Sequence, residues 1–303
     1  MDDEFYDADI HEPRQCCKGR HMSIIDAHQH FWWIAKRKQP LPPLFGDRLA
    51  RDFTPDDLLP ELRAAGIDGT VLVQSLDDYD ETLEYLDIAD AHDFVAGVVG
   101  WVPLVDPDAC AHTLDKLNMR PKFVGMRHLI AYEADPAWVL RANVLTSLRM
   151  LAQRRLAFEA IPINQQQLDA VIEAAQRVPD LLIVLNHLGR PPVPEHGWEP
   201  WASQIARAAA CPNISVKLSA GGDLVARWQW STNELRRYVD HVIERFGPHR
   251  VMAASNWPVV LLGGTFAAIW RGITDLIAAL STAERAAVLG GTAQRIYRLG
   301  KPL

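Results

Sequence analysis

Short apolar segments alternate with amphipathic stretches along the chain from residue 22 onward. The apolar segments are rich in valine, isoleucine and leucine, and turn-forming or polar residues bound them, which is typical of buried strands. Eight such segments are present, at residues 24–28, 69–74, 96–101, 123–128, 156–161, 181–187, 214–218 and 251–255. Their near-continuous apolar character predicts a parallel sheet that is covered on both faces.

The stretches between these segments carry helix start and stop signals. The sequence Thr-Pro-Asp-Asp at residues 54–57 predicts a capped helix start, and Gly66 predicts the end of that helix. Further helices are predicted over residues 79–92, 107–118, 141–154, 165–177, 199–209, 232–246 and 265–280, and the last helix is predicted to be capped by Thr292.

Eight strand–helix units predict an α/β fold, a (β/α)8 TIM-type barrel that forms a single domain over residues 22–303. A doubly wound sheet is the alternative, but it requires a glycine-rich phosphate turn after the first strand. The chain has His-Gln-His-Phe-Trp at that point, residues 28–32. Residues 1–21 lack periodicity, so we expect a disordered leader, either an upstream start or a remnant of cloning, with a lid or interaction tail as the functional alternative.

Composition narrows the classes of function. Hydrophobic residues make up 49% of the chain and charged residues 23%, with a formal net charge of −7, which is typical of a globular protein and unsuited to nucleic acid or an anionic membrane. Because no apolar run reaches the ~18 residues of a membrane span and no secretory signal pattern is present, we expect a cytoplasmic protein. Cys16, Cys17, Cys110 and Cys211 show no C-x-x-C spacing and predict incidental thiols.

Polar and ionisable side chains stand where the predicted strands end, and the carboxyl ends of barrel strands are where active sites form. His28 and His30 lie two residues apart, so both imidazoles point to one face of a strand. Such a pair suits half of a divalent-metal site, or a proton-transfer site without metal. The other strand-end residues are Gln74, Trp101, Arg127, His128, Glu159, His187, Lys217 and Asn256.

Several motifs resemble those of a known family. They are Ile-Asp-Ala-His-Gln-His-Phe-Trp at 25–32, Gly-Met-Arg-His at 125–128, Leu-Asn-His-Leu-Gly-Arg-Pro at 185–191, Val-Lys-Leu-Ser at 216–219 and Ser-Asn-Trp-Pro-Val at 255–259. Together they resemble the amidohydrolase-2 type barrels of the amidohydrolase superfamily. Within these, the sequence looks like the sugar-lactone hydrolases typified by L-fuconolactonase and L-rhamnonolactonase.

The resemblance implies roles for the strand-end residues. It makes His28 and His30 the ligands of one divalent metal ion, with zinc as the expected metal, and it makes His187 and Glu159 catalytic candidates. Arg127 and Lys217 offer hydrogen-bond donors for a lactone carbonyl, sugar hydroxyls or a product carboxylate. A salt bridge at the barrel rim is the structural alternative for each of the two residues. The remaining predicted substrate contacts are Gln74, His128, Trp32, Trp101 and Trp257, where each tryptophan has core packing as its alternative.

Asn256 departs from the family pattern. The resemblance implies Ser-Asp-Trp-Pro at the eighth strand, with the aspartate taking a proton from the attacking water. An amide cannot act as a general base, so a native asparagine would leave that task to His187, His128, Glu159 or metal-bound hydroxide. The alternative is an engineered substitution, and the sequence leaves both open.

The resemblance therefore implies a carbohydrate-metabolism enzyme that opens an aldono-1,4-lactone to its aldonic acid, using water activated by metal or histidine. Two alternatives stay open: a metal-dependent non-oxidative decarboxylase on the same scaffold, and a catalytically impaired barrel that binds without turnover. The expected partner is a small sugar lactone, with neither nucleic acid nor membrane, and the sequence leaves homo-oligomer formation open.

Overall fold

A computed structural model describes residues 24–300, which form one eight-stranded parallel sheet in the order β1 to β8 along the chain. The strands are β1 Ile25–Gln29, β2 Gly69–Val73, β3 Val95–Gly100, β4 Phe123–Arg127, β5 Ala157–Ala160, β6 Ile183–Leu185, β7 Ile214–Leu218 and β8 Val251–Ala253. This strictly sequential order confirms the barrel and excludes the doubly wound sheet, whose strand order reverses. The predicted leader, residues 1–21, lies outside the described residues.

Helices cover the outside and one end of the barrel. They are α1 Pro55–Ala65, α2 Tyr79–Ala91, α3 Pro107–Leu117, α4 Ala142–Gln153, α5 Gln165–Arg177, α6 Trp201–Ala209, α7 Gly222–Val225, α8 Thr232–Phe246, α9 Phe266–Leu276, α10 Thr282–Ala286 and α11 Thr292–Tyr297. At the start of α1, the Asp57 carboxylate accepts from the backbone N–H and the hydroxyl of Thr54, at 2.8 Å each. Gly66 ends that helix with a left-handed φ of 68°.

The prediction that Thr292 caps the last helix is wrong. The cap lies eleven residues earlier, where Ser281 and Glu284 form a reciprocal capping box at the start of α10. A π-helical turn over Ala287–Gly291 then continues directly into α11, so Thr292 lies inside a continuous helical segment. Gly291, directly before Thr292, keeps a helical backbone with φ −58° and ψ −38°, so the chain does not break there and no cap forms.

The hydrophobic core has two parts. The larger lies between the strands and the outer helices, and the smaller fills the barrel interior with residues such as Ile25, Val71 and Val99. Ile296 and Tyr297 of α11 belong to the interior cluster and close the end of the barrel where the strands begin. Cys110 and Cys211 are buried free thiols. Within residues 24–300 no helix is long and apolar enough to cross a bilayer.

A buried carboxylate joins the first and last strands. Asp26 Oδ1 accepts from the backbone N–H of Ser255 at 2.7 Å and from that of His28 at 3.2 Å, while Oδ2 accepts from the Ser255 hydroxyl at 2.5 Å. Two main-chain bonds extend the seam, from Asn256 N–H to His28 O at 2.9 Å and from His30 N–H to Trp257 O at 2.8 Å. Asp26 therefore supplies acceptors where a regular β1–β8 ladder is missing.

Asp26→Ala should destabilise the fold by about 4 kcal/mol, because it leaves two buried N–H groups and a hydroxyl without their acceptor. Asp26→Asn should cost less than half of that, since its Oδ1 can accept both N–H groups and its amide can donate to Ser255 Oγ. Equilibrium urea unfolding of the three proteins gives the comparison. Equal losses for the two variants would show that the seam does not depend on these acceptors.

Candidate active site

Five side chains from four strand ends meet at the carboxyl end of the barrel. The rings of His28 and His30 are 4.8 Å apart between centroids, and His187 lies 4.9 Å from His28. Arg127 Nη1 is 3.4 Å and Lys217 Nζ 3.1 Å from the nearest nitrogen of the His28 ring. All five side chains are buried, with at most 6% of any residue exposed. The sequence-predicted residues on β1, β4, β6 and β7 thus form one cluster.

Hydrogen bonds fix the tautomers of the two β1 histidines. His30 Nδ1 lies 2.7 Å from the Val73 carbonyl, which only accepts, so Nδ1 carries the proton and Nε2 has a lone pair. The Lys217 ammonium only donates, so His28 Nδ1 accepts from it at 3.1 Å and His28 Nε2 carries the proton. Arg127 Nη1 lies 3.4 Å from that Nε2 and then contacts it without a hydrogen bond. His28 Nε2 then donates to His30 Nε2 over 3.1 Å. One directed hydrogen-bond chain therefore links Lys217 to the end of β2.

Lys217 is held from the other side by a buried carboxylate. Its Nζ donates to Glu159 Oε1 at 2.6 Å, and both side chains are fully buried. The hydroxyl of Tyr297 donates to the same Oε1 at 2.5 Å. Burial lowers the pKa of Lys217 to about 8, although the charge of Glu159 opposes that change. Lys217 and Glu159 therefore form a buried ion pair inside the barrel and not a salt bridge at its rim.

Arg127 is anchored by the end of β2. Its Nη2 donates to the backbone carbonyl of Gln74, while the Gln74 side-chain amide donates to Arg127 O at 3.0 Å and to Asp77 Oδ1 at 2.8 Å. Burial raises the pKa of Asp77, and the nearby positive charges oppose that rise. Gln74, predicted to contact substrate, holds the Arg127 guanidinium through its backbone and side-chain oxygens.

His187 reaches the cluster through an unusual backbone turn. Residues 187–190 all have positive φ, between 53° and 64°, and three of the four are not glycine. Left-handed backbone at such residues is strained and is retained where the surrounding structure holds it in place. The ring is anchored by Nδ1 at 2.8 Å from Ser219 Oγ, and it lines a cavity of about 190 Å³ with Gly221 among the other lining residues.

The three clustered histidines are neutral. Burial lowers the pKa of His28, His30 and His187 well below 6.5, and the charges of Arg127 and Lys217 lower it further. The site thus combines neutral imidazoles, which can accept a proton, with two fixed cations and the single carboxylate of Glu159. This arrangement can stabilise negative charge that develops on a bound molecule.

Asn256 follows β8 in the left-handed region, with φ 61°, where asparagine is better tolerated than most residues. Its side-chain amide donates to the Ala220 carbonyl at 2.8 Å, which orients Nδ2 toward Ala220. A carboxylate in this place would set a negatively charged oxygen against that carbonyl. The local structure therefore accommodates asparagine as it stands.

The aromatic candidates and His128 lie outside the cluster. His128 is hydrogen-bonded to Glu133 at 2.7 Å, stacks on Trp138, and receives the Trp101 indole N–H at 3.3 Å. None of its described contacts reaches the β1 histidines. Packing accounts for the two remaining tryptophans: Trp32 and Trp257 are at most 3% exposed and both pack edge-on against Phe53.

The donor set fits a metal ion shared by two imidazoles. The Nε2 atoms of His28 and His30 are 3.1 Å apart, close to the roughly 3.3 Å expected for two nitrogens on one tetrahedral zinc. Within residues 24–300 no group of three His, Cys, Asp or Glu side chains could hold an ion, so other ligands would be water or substrate. Binding through His28 would displace the proton that its Nε2 carries.

Four residues of the site's surroundings were given no role by sequence reasoning. Asp26 belongs to the motif at 25–32, and its position two residues before His28 was the available signal. Ser219 and Asp77 follow strand ends, and a polar residue at that position of a barrel is a candidate for the active site. Tyr297 is 138 residues from Glu159 in sequence, and only the folded barrel brings them together.

Comparison with known proteins identifies the family of this chain. The amidohydrolase family pattern matches residues 25–299. An L-fucono-1,5-lactonase of Burkholderia ambifaria is 36% identical over 282 residues, covering 92% of this chain and 96% of that protein. An L-fucono-1,5-lactonase of Burkholderia multivorans is 31% identical over 296 residues, covering 92% of this chain and 97% of that protein.

Two solved structures of amidohydrolases are similar to this chain in both sequence and fold. An amidohydrolase from Burkholderia multivorans with bound HEPES superposes with a TM-score of 0.82 at 31% identity, covering 91% of this chain and 99% of that one. A second crystal form, with bound zinc, superposes with a TM-score of 0.80 at 30% identity and the same coverage.

Proposed function

Because the chain belongs to the amidohydrolase family, we propose that it is a hydrolase that opens a sugar aldono-lactone to the aldonic acid. The names of its relatives support a lactone substrate and favour the six-membered 1,5-lactone over the 1,4-lactone expected from the resemblance. The two ring sizes differ in shape but present the same ester carbonyl, so the chemistry required of the site is the same.

The observation that carries this proposal is the buried pair of cations beside neutral histidines. Addition of water to a lactone carbonyl creates a tetrahedral oxyanion, and hydrogen-bond donors preorganised in a dry site stabilise it strongly. Arg127 and Lys217 are such donors, both buried and both within 3.4 Å of the His28 ring. We assign the oxyanion to this pair.

His187 is the proposed base. With Nδ1 donating to Ser219 Oγ, Nε2 can take a proton from the attacking water as the water oxygen bonds to the carbonyl carbon. The ring C–O bond then breaks, and the same proton passes to the departing alkoxide oxygen. Water and lactone are consumed, and a hydroxy acid is released. A divalent ion bound by His28 and His30 would supply Lewis-acid polarisation of the carbonyl.

Purified protein should hydrolyse L-fucono-, L-rhamnono- and related 1,5- and 1,4-lactones, followed by acid release with a pH indicator. Arg127→Met should lower kcat/KM by about 10²-fold or more, because an oxyanion donor is lost. Arg236→Met is the matched control, since that guanidinium donates to main-chain carbonyls on the outer helices. If the protein hydrolyses no lactone but releases carbon dioxide from aromatic acids, the proposed function is wrong and the decarboxylase alternative is supported.

Asn256→Asp should leave lactone turnover unchanged or lower it, because the new carboxylate would face the Ala220 carbonyl that now accepts from the amide. Steady-state kcat and KM of the two proteins on the best lactone provide the measurement. A gain of roughly 10²-fold or more, the usual contribution of a restored general base, would show instead that the asparagine had replaced a catalytic aspartate.

We expect about one zinc ion per chain, held by His28 and His30. Elemental analysis and zinc titration calorimetry should show binding that His30→Ala abolishes, while His112→Ala on the exposed surface of α3 leaves it intact. Zinc binding that survives His30→Ala would place the ion elsewhere. Full activity in a metal-free preparation would show that the ion, even if bound, is not needed for turnover.

A further inference from the structure

Tyr297 touches the buried ion pair from the end of the barrel opposite the active-site mouth. It is the last residue of α11, it is 2% exposed, and it lies in the interior core cluster with Ala293 and Ile296. Its hydroxyl donates to Glu159 Oε1 at 2.5 Å. Its ring lies under Lys217, with Nζ 5.6 Å from the ring centroid, within the range of a cation–π contact.

We propose that Tyr297 is a positioning residue of the active site, which holds Lys217 against His28 by fixing the Glu159 carboxylate. This inference rests on the proposed function, because Lys217 is assigned there to the developing oxyanion. It makes α11, which packs in the interior core, a component of the catalytic apparatus.

The two oxygens of the Glu159 carboxylate differ in their partners. Oε1 of Glu159 accepts from both Lys217 and Tyr297, whereas Oε2 is buried without a hydrogen-bond partner in the described structure. A carboxylate has about four lone-pair positions, so an ammonium could equally bridge both oxygens. The Tyr297 hydroxyl fixes the rotation of the group with Oε1 toward Lys217.

Lys217 needs this restraint because it serves two acceptors at once. Its Nζ lies 2.6 Å from Glu159 Oε1 and 3.1 Å from His28 Nδ1. Without the tyrosine hydroxyl the plane of the carboxylate can turn, and the ammonium follows the stronger charge–charge attraction and leaves the neutral imidazole. His28 then loses the bond that fixes its tautomer, and the donor beside the substrate carbonyl is displaced.

Tyr297→Phe tests the role of the hydroxyl alone, since it keeps the ring, its packing and the cation–π contact. We expect kcat to fall roughly tenfold with KM changed less than about twofold, because the lost alignment matters most in the transition state. Tyr238→Phe is the matched control: that tyrosine is 1% exposed, and its hydroxyl donates to the Gly197 carbonyl at 2.7 Å outside the barrel.

Thermal unfolding of both variants separates positioning from stability. The proposal predicts similar losses of Tm but a kcat defect in Tyr297→Phe alone, and it predicts that Tyr297→Phe adds nothing in a Lys217→Met background. Wild-type kcat for Tyr297→Phe, equal kcat defects in both tyrosine variants, or additive effects with Lys217→Met would overturn it.

A crystal structure of Tyr297→Phe gives a readout that does not depend on lactone turnover. We expect Lys217 Nζ to leave His28 Nδ1, and an unchanged separation near 3.1 Å would overturn the inference. Failure of the wild-type protein to hydrolyse any lactone would count against the proposed function instead, and the structural comparison would still decide the role of Tyr297.

Discussion

The geometry of the site depends on the seam between the first and last strands. A parallel barrel must join β1 to β8, but here the regular ladder is replaced by the Asp26 carboxylate, which accepts from the backbone of both strands. Beyond it, the His28 carbonyl accepts from Asn256 N–H. Because β1 carries both clustered histidines and β8 leads into Asn256, the same few bonds that close the barrel also fix the distances across its mouth.

Burial of charge is the second constraint. An ion pair taken out of water is stable only when its geometry is good and its remaining hydrogen-bonding positions are satisfied. Lys217 meets that condition through Glu159 and His28. Glu159 meets it at Oε1, which accepts from Lys217 and Tyr297, while its buried Oε2 has no hydrogen-bond partner among the described residues. The positive charge of Arg127 is compensated less directly, because its guanidinium donates to the backbone and side-chain oxygens of Gln74. The excess of positive charge that results is what a site for a developing oxyanion requires.

The sequence predicted the parts of the structure that depend on local pattern. All eight strands were located within two residues of their observed bounds, because buried parallel strands are continuous apolar runs. Strand ends also identified the clustered residues, since a barrel brings its carboxyl strand ends together. The sequence could not distinguish Arg127, which faces His28, from Gln74, which holds Arg127, or from His128, which lies outside the cluster. That difference depends on side-chain direction and on contacts from neighbouring loops.

The two ends of the barrel are closed by different physical means. The end opposite the mouth is filled by α11 within the interior core, where burial of apolar area makes opening costly. At the mouth, the loop between β1 and α1 seats Phe45 against Gly222, where an added Cβ would lie 2.6 Å from the ring.

The same loop is fastened on its other side by Lys36 to Glu84 at 3.1 Å and Lys38 to Asp80 at 2.7 Å. Both lysine side chains are more than half exposed, and exposed ion pairs contribute only about 0–1 kcal/mol each. These two exposed ion pairs therefore add little to the stability of the mouth loop. Lys217 and Glu159 beneath it are held by buried contacts, which include the hydroxyl of Tyr297 on α11.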